Sequence, residues 1–585
     1  ERRREREARL EALSREEAEL ARQDAELKNR QHAVARENLA NKALAASRAA
    51  FISLLASHFL GPGAVGPTSL NILAPYVLPA AVQRLRARHT AMRVELREDY
   101  SAVLAKLDAA CAMAVKSDAV KDAAQKSLSH YQNLSYKTPE LPNNLLDFPQ
   151  LKVHKVEPGL QEPGITLMTV RRRALGRSEL MTAKQRSFTT GWSAIVGLNE
   201  TGEVVWYYNS DSRISGVASL ANGNIFFHTA QFSPVEIDVL GNEVRRWGAA
   251  KGPRPMPPGS IPVDAVTLHH QPEELPNGNF LSMEAFPKTI ENYYTSEHDK
   301  NAPRATQIVM GDQIIEFTPK GEVVWRWNTF DYLDPFKIGF DTFWSYWPIR
   351  GFPKALDWSH GNGVHYDKRD DSVIASFRNL DAVIKIDRKT KEIKWILSRN
   401  VGWSAELQKK ILKPVGSNFQ YPSHQHNPRV TPDGNVVLFN NNVHQAIPFT
   451  GETSKPASES FSNAIVYDID DKAMTAKVTF ATPMTGDVSC NSFAMGDAHV
   501  LPKTGNVLVA FSLCYPGLKI ETWDQRDRTK VYADDIPSSP RIREFRISDP
   551  QRPVFDIEVI PPHDLVQMEV FGVYRVPSLY PVPVK

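Results

Sequence analysis

Between residues 218 and 511 the chain runs five times through one short cycle, a turn that feeds an apolar run. The copies are ASLANGNIFFH (218–228), EELPNGNFLSM (273–283), VHYDKRDDSVIAS (364–376), RVTPDGNVVLF (429–439) and HVLPKTGNVLVAF (499–511). Most are followed by a second cycle: an acidic or small residue, Gly or Lys, then a β-branched pair and often Trp. IDVLGNEVRRW (237–247), IEFTPKGEVVWRW (315–327) and IKIDRKTKEIKWIL (384–397) are examples, with an early copy in VGLNETGEVVWYY (196–208). A hairpin followed by a hairpin, repeated every several tens of residues, reads as the four-stranded blades of a β-propeller.

Counting sets the number of blades. Five copies carry both halves, 190–209 carries only the outer half and 566–581 only part of one. If the two ends share a blade, the ring has six blades and closes without an exposed sheet edge; seven is the alternative. In this reading each apolar run is the first, channel-lining strand of its blade, and the turn ahead of it stands at a channel mouth.

The first 135 residues have another character. Residues 1–47 are dense in Arg and Glu, with Leu13, Leu20, Leu27 and Val34 seven apart. The companion seam positions Leu10, Glu17, Asp24 and Gln31 are mostly polar, so a solvated helix lying on a protein partner through residues 1–50 is expected rather than a self-sufficient coiled coil. Residues 84–132 again read as helix, and YKTPELPNNLLDFPQ then shifts the composition to Pro and Asn. The expected organisation is an α-helical region over 1–135, a short β or linker segment over 136–185 and a six-bladed propeller over 186–585. The fold class is mainly β.

A net charge of +3, from 70 Lys and Arg against 67 Asp and Glu, gives no basic field for a nucleic-acid partner. The longest apolar stretch, ALAASRAAFISLLASHFL, is interrupted by Arg48 and His58 and reads as a buried helix, so no transmembrane segment is expected. Of the three cysteines, Cys490 and Cys514 fall on apparent neighbouring strands. They could pair in an oxidising compartment or serve, like Cys111, as small buried hydrophobes.

The histidines carry the chemistry. His270 and His426 each stand six residues ahead of a turn proline, Pro276 and Pro432, and His360 takes the matching place before a longer turn. Three successive blades thus send a histidine to one mouth, whereas His228, His269, His365, His424, His444 and His499 lack that phase and read as structural or rim residues. Arg378 ends the channel strand that His360 begins, and its fork suits a tetrahedral oxyanion. Asn362 and Asn441 are neutral donors at the same level. Imidazoles with a guanidinium describe an anion site. Three neutral imidazoles could instead hold a transition metal, although the arginine makes a cation less welcome, so no metal or other cofactor is expected. With no Cys or Ser nucleophile motif, histidine itself is the natural nucleophile for a transferable group.

These residues bear a resemblance. HHQPEELPNGNFL, DWSHGNGVHYDKRDDSVIASFRNLDAVIKIDRKTKEIKWIL, QHNPRVTPDGNVVLFNN and the ending YRVPSLYP are similar to the six-bladed propeller arylsulfate sulfotransferases, over roughly residues 186–582. The resemblance implies transfer of a sulfuryl group from an aryl sulfate ester to a phenol, with neither nucleotide nor metal. It implies that His426 becomes sulfated in a ping-pong cycle, that His270 and His360 protonate the leaving phenolate and hold sulfuryl oxygens, and that Arg378 binds sulfate. It also implies a periplasmic or secreted location, although no export signal is visible. His424, in the HQH run, is a rival or an auxiliary base for substrate binding. Phenol selectivity is expected in the loops 285–305 and 328–357, the latter rich in aromatics. A second function remains open at this stage: a catalytically silent propeller acting as a structural or binding subunit through its N-terminal helix.

Overall fold

The computed structural model describes residues 150–577 and 579, apart from 175–191, 211, 231, 240, 457–458, 516–537 and 562–565. The charged helix, the helices expected up to residue 135 and Cys111 lie outside these residues. Among the described residues no helix is long and apolar enough to cross a membrane.

Six antiparallel sheets of four core strands form the propeller. Blade 1 runs Ile214–Ser219, Ile225–Thr229, Ser233–Ile237, Glu243–Ala249. Blade 2 runs His269–Glu274, Phe280–Tyr293, Ala305–Phe317, Val323–Asn328. Blade 3 runs Gly361–Asp367, Ser372–Phe377, Ala382–Asp387, Ile393–Leu397, and blade 4 His426–Val430, Val436–Asn440, Asn463–Asp470, Thr475–Ala481. Blade 5 runs Asp497–Val500, Val507–Phe511, Arg541–Arg546, Asp549–Ile560. Blade 6 is shared by the two ends: Val566–Val576 is its innermost strand and pairs with Ile165–Ala174, which continues through Ser193–Leu198 to Val204–Ser210.

This topology places one segment and corrects one expectation. Within the expected 136–185 segment, the described residues 150–174 join the propeller: Ile165–Ala174 is the second strand of blade 6, and Gln150–Val156 adds a fifth strand to the outside of blade 5. Neither stretch carries the turn signature: Gln150–Val156 pairs with a strand some 400 residues away, and Ile165–Ala174 pairs with one equally distant and, on its other side, with Ser193–Leu198 across a connection of 18 residues instead of a tight turn. The apolar runs are not the channel strands. Each is the second strand of its blade, covered on both faces, and therefore reads as an unbroken hydrophobic run such as VVLFN, buried throughout. The channel is lined by the short, polar strand ahead of the turn, HHQPEE, GNGVHYD, HNPRV or DAHV. The histidines consequently sit at the far end of the inner strand from the turn.

The tryptophan of the second cycle has a structural task. Trp247, Trp327 and Trp395, all buried on fourth strands, each donate the indole N–H to the next blade: to Pro319 O (3.1 Å), Lys391 O (3.1 Å) and Asp471 Oδ1 (2.6 Å). One large side chain thereby fills the gap between blades and fixes their register. Cys490 and Cys514 are joined by a disulfide across 24 residues, tying the segment before blade 5's inner strand to the one after its second strand.

Candidate active site

Three inner strands deliver a histidine to the same end of the channel. His270 is the second residue of its strand, His360 immediately precedes its own, and His426 opens its own. The His270 ring centre lies 5.5 Å from that of His426 and 6.0 Å from that of His360, and all three side chains are buried. The backbone is bent to achieve this. His270 (φ 61°), His360 (φ 48°) and Asn427 (φ 46°) adopt left-handed conformations, which cost a non-glycine residue roughly 1–3 kcal/mol each and persist only where the surroundings impose them. Register breaks between His269 and Glu273, Gly361 and Gly363, and His426 and Arg429 place a bulge at the same point in each blade, re-aiming the side chains. Gly363 permits the close approach of two inner strands: a Cβ there would stand 2.7 Å from Asn427 Cα.

Hydrogen bonding defines the state of His426. Its Nδ1 lies 2.7 Å from the Gly496 carbonyl, which can only accept, so Nδ1 carries the hydrogen and the lone pair is left on Nε2. Burial holds its pKa at about 4, against weaker opposing pulls from that carbonyl and from Asp497. Burial and the surrounding imidazoles likewise hold His270 well below the ordinary range. At neutral pH His426 is a neutral imidazole with an available lone pair, which is the form a nucleophile needs.

His360 is fixed by a carboxylate. Its Nδ1–H donates to Asp357 Oδ2 (2.5 Å), and Asp357 also accepts the Trp347 indole N–H (2.7 Å). Tyr346 packs against the His360 ring at 4.5 Å and Trp344 lies parallel to it at 6.5 Å, so the aromatic 328–357 segment does border the histidines. Residues 285–293, by contrast, belong to the long blade 2 hairpin, which carries Tyr293 and Tyr294 out toward Phe336 and Phe449. Phe571, on the closing strand, stands 5.9 Å from His270 and 5.2 Å from His426 and walls the site from blade 6. The sequence reading missed it because the C-terminal repeat is only partial.

Arg378 caps the second strand of blade 3 rather than its channel strand. The pairing of Gly361 with Phe377 brings it to the histidine end, where its backbone N–H donates to His360 O (3.0 Å). Its guanidinium donates to Asp341 Oδ2 (2.7 Å) and Asn379 Oδ1 (2.9 Å) and lies 5.7 Å from the Trp344 ring centre. Asp341 is a hub: His444 Nε2 is 3.2 Å from its Oδ1 and His424 Nε2 3.5 Å from its Oδ2. His424 is anchored at its other nitrogen by Asp381 (2.9 Å) and His444 by Ser454 (2.6 Å). His424 therefore packs on His444 at 4.9 Å in the support of Arg378 instead of joining the channel trio. Burial, followed by the nearby Arg378, lowers the His424 pKa to about 3. Donor atoms of Asp341, His424 and His444 fall within 4.8 Å of one another, a spacing one cation could bridge, but the Arg378 guanidinium already faces that carboxylate.

The two asparagines spend their N–H groups on the protein. Asn362 donates to Gln425 O (2.7 Å), steadying the residue before His426, and Asn441 donates to Ser492 O (2.5 Å) and Met495 O (2.9 Å). Asn441 thus holds the loop whose Gly496 carbonyl orients His426. Their Oδ1 atoms are buried without a hydrogen-bond partner among the described residues, so what they offer a ligand is acceptance rather than donation.

A sequence profile of the Arylsulfotransferase (ASST) family matches residues 161–555. Two curated relatives share 27% identity with part of the chain. Arylsulfate sulfotransferase AssT of Escherichia coli aligns over 34% of this chain and 36% of its own length, and arylsulfate sulfotransferase AssT of Lelliottia amnigena over 28% and 33%. The chain thus spans about a third of the length of the curated relatives it matches. A crystal structure of a protein of unknown function from Bacteroides caccae covers 70% of this chain and 98% of its own, at 11% identity and a TM-score of 0.34. With its match across two-thirds of the sequence, the chain belongs to the arylsulfotransferase family.

Proposed function

We propose that this protein moves a sulfuryl group from an aryl sulfate ester to a phenolic acceptor through a sulfohistidine on His426. The observation that carries the reading is the fixed tautomer of His426, with its Nε2 lone pair beside two further histidines and an arginine held by Asp341. In the first half-reaction Nε2 attacks sulfur, an N–S bond forms as the S–O(aryl) bond breaks, and the departing phenolate oxygen takes a proton from a neighbouring imidazole. The Nδ1–H stays on Gly496 throughout and spreads the positive charge of the N-sulfonated ring. Arg378 holds the equatorial sulfuryl oxygens together with His360, which donates from Nε2 as an imidazolium whose Nδ1–H stays on the Asp357 carboxylate; each aimed donor is worth on the order of 10²–10³ in rate. In the second half-reaction the acceptor phenol gives its proton back and its oxygen takes the sulfuryl group.

Small-molecule aryl sulfates and phenols fit the aromatic border formed by Trp344, Tyr346 and Phe571. The Cys490–Cys514 disulfide supports an oxidising, periplasmic or secreted compartment. The reading of a silent binding subunit rests on residues 1–50, which lie outside the described residues; the assembled trio favours transfer. The test is release of 4-nitrophenol from 4-nitrophenyl sulfate by the purified protein with phenol as acceptor. Acceptor-dependent release is expected, and folded protein that releases none with any phenol tried would contradict the proposal.

A further inference from the structure

One buried charged group beside the trio takes no part in the steps above. Asp312, in the third strand of blade 2, accepts hydrogen bonds at Oδ2 from Ser359 Oγ (2.5 Å) and from the Gly361 N–H (2.6 Å), the two residues flanking His360. Its Oδ1 faces His269 Nε2 at 3.3 Å. Both atoms are buried, and neither has a hydrogen-bond partner among the described residues. On the other side of the same ring, His269 Nδ1 stands 2.7 Å from His270 Nδ1. Two ring nitrogens this close must share a hydrogen, since two lone pairs at that distance repel.

The geometry points to Asp312 and His269 as positioning residues that store the proton His270 delivers to the leaving phenolate. The inference rests on the sulfuryl-transfer reading. The proton count is simple. In the loaded state His269 keeps a hydrogen on Nε2 toward Asp312, one hydrogen lies between the two Nδ1 atoms, and His270 carries another on Nε2. The added positive charge rests on the His269 ring, which gives its Nδ1 hydrogen toward His270, and is balanced by the Asp312 carboxylate, while His270 stays neutral with its hydrogen on Nε2. When the S–O(aryl) bond breaks, the Nε2 hydrogen of His270 passes to the phenolate oxygen, leaving a neutral pair. The acceptor phenol returns the proton to the same Nε2 in the second half-reaction, so the pair ends as it began. Without the link, an imidazole surrounded by other imidazoles and cut off from water would hold no proton to give.

Leaving-group dependence separates this from a merely structural role. The measurement is kcat/KM of the whole protein for 4-nitrophenyl, phenyl and 4-methylphenyl sulfates, with one acceptor, for the wild type, Asp312→Asn and His269→Asn. 4-Nitrophenolate departs without a proton, whereas the other two need one. In the wild type the three donors are expected to differ little. In both variants the phenyl and 4-methylphenyl sulfates are expected to lose on the order of 10²-fold and the nitrophenyl ester only a few-fold. Equal loss across the donors, or rates in the wild type that already fall steeply as the leaving phenol becomes less acidic, would overturn the inference. The second of these outcomes needs no variant to fold. No transfer from any donor by the wild type would instead remove the sulfuryl-transfer reading itself.

Discussion

Two histidine groups lie near the same end of this channel and differ in what surrounds their nitrogens. His424 and His444 share the left-handed backbone of His270 and His360, but both rings are occupied at each nitrogen, by Asp381, Ser454, Phe340 and Asp341. The trio is anchored on one side and open on the other: His426 by the Gly496 carbonyl, His360 by Asp357. The residue type is the same in both groups, and four of the five histidines, all but His426, share the left-handed backbone. The chemistry comes from which nitrogen is left with nothing to bind, and a saturated histidine can serve only to hold something else, here Asp341 and through it Arg378.

The comparison breaks if the two groups respond alike to substitution. The largest effect is expected for His426→Ala, which removes the proposed nucleophile and should lower kcat by about 10⁴-fold or more, to the background of the assay. Arg378→Lys keeps the charge but loses the planar fork, and a fall in kcat/KM of on the order of 10²-fold is expected in steady-state kinetics. His424→Ala should cost only about tenfold, by loosening Asp341, and should leave His426 reactive. A loss as deep as that of His426→Ala would mean that His424, not its neighbour, carries the group.

Acidification sharpens the same contrast through stability. Burial is the leading cause of the lowered pKa of His228 and His424, each about 3, and of His426, about 4. Unfolded, each would titrate near 6.5, so below that pH the unfolded chain binds more protons than the folded one. Stability is therefore fully present above pH 6.5 and is lost as the pH falls toward 4, by about 1.4 kcal/mol per pH unit for each group. Melting temperatures should hold between pH 7.5 and about 6.5 and fall from there to pH 5. A flat profile would show that these rings are not held neutral. Reducing the Cys490–Cys514 disulfide, away from both histidine groups, is expected to lower the unfolding free energy by about 2–4 kcal/mol, read by denaturant titration.

Much of this arrangement is legible in the chain itself. The turn-and-strand cycle gives the blades because each blade buries its own hairpins, and ring closure by the two ends follows from the half repeats at 190–209 and 566–581. The histidine phase also survives folding, since a fixed distance from the turn is a fixed distance along the inner strand. Two other features could not be read. The sequence shows which runs are apolar, but the apolar run is the strand covered on both faces, and the channel strand beside it is short and polar. The partners that choose among the histidines, Asp341, Asp357, Asp312 and Gly496, come from loops and neighbouring blades whose approach is set only by tertiary packing. Asp357, three residues ahead of His360 in LDWSH, is the one that spacing alone could have offered.

The most direct test of the account is the mass of the intact protein after incubation with 4-nitrophenyl sulfate in the absence of any acceptor phenol. The account predicts the addition of one sulfuryl group, located on His426 by peptide mapping, retained in His424→Ala, absent in His426→Ala and discharged when phenol is added. Acceptor-dependent turnover with no added mass at any time point, or the same added mass in His426→Ala, would contradict it.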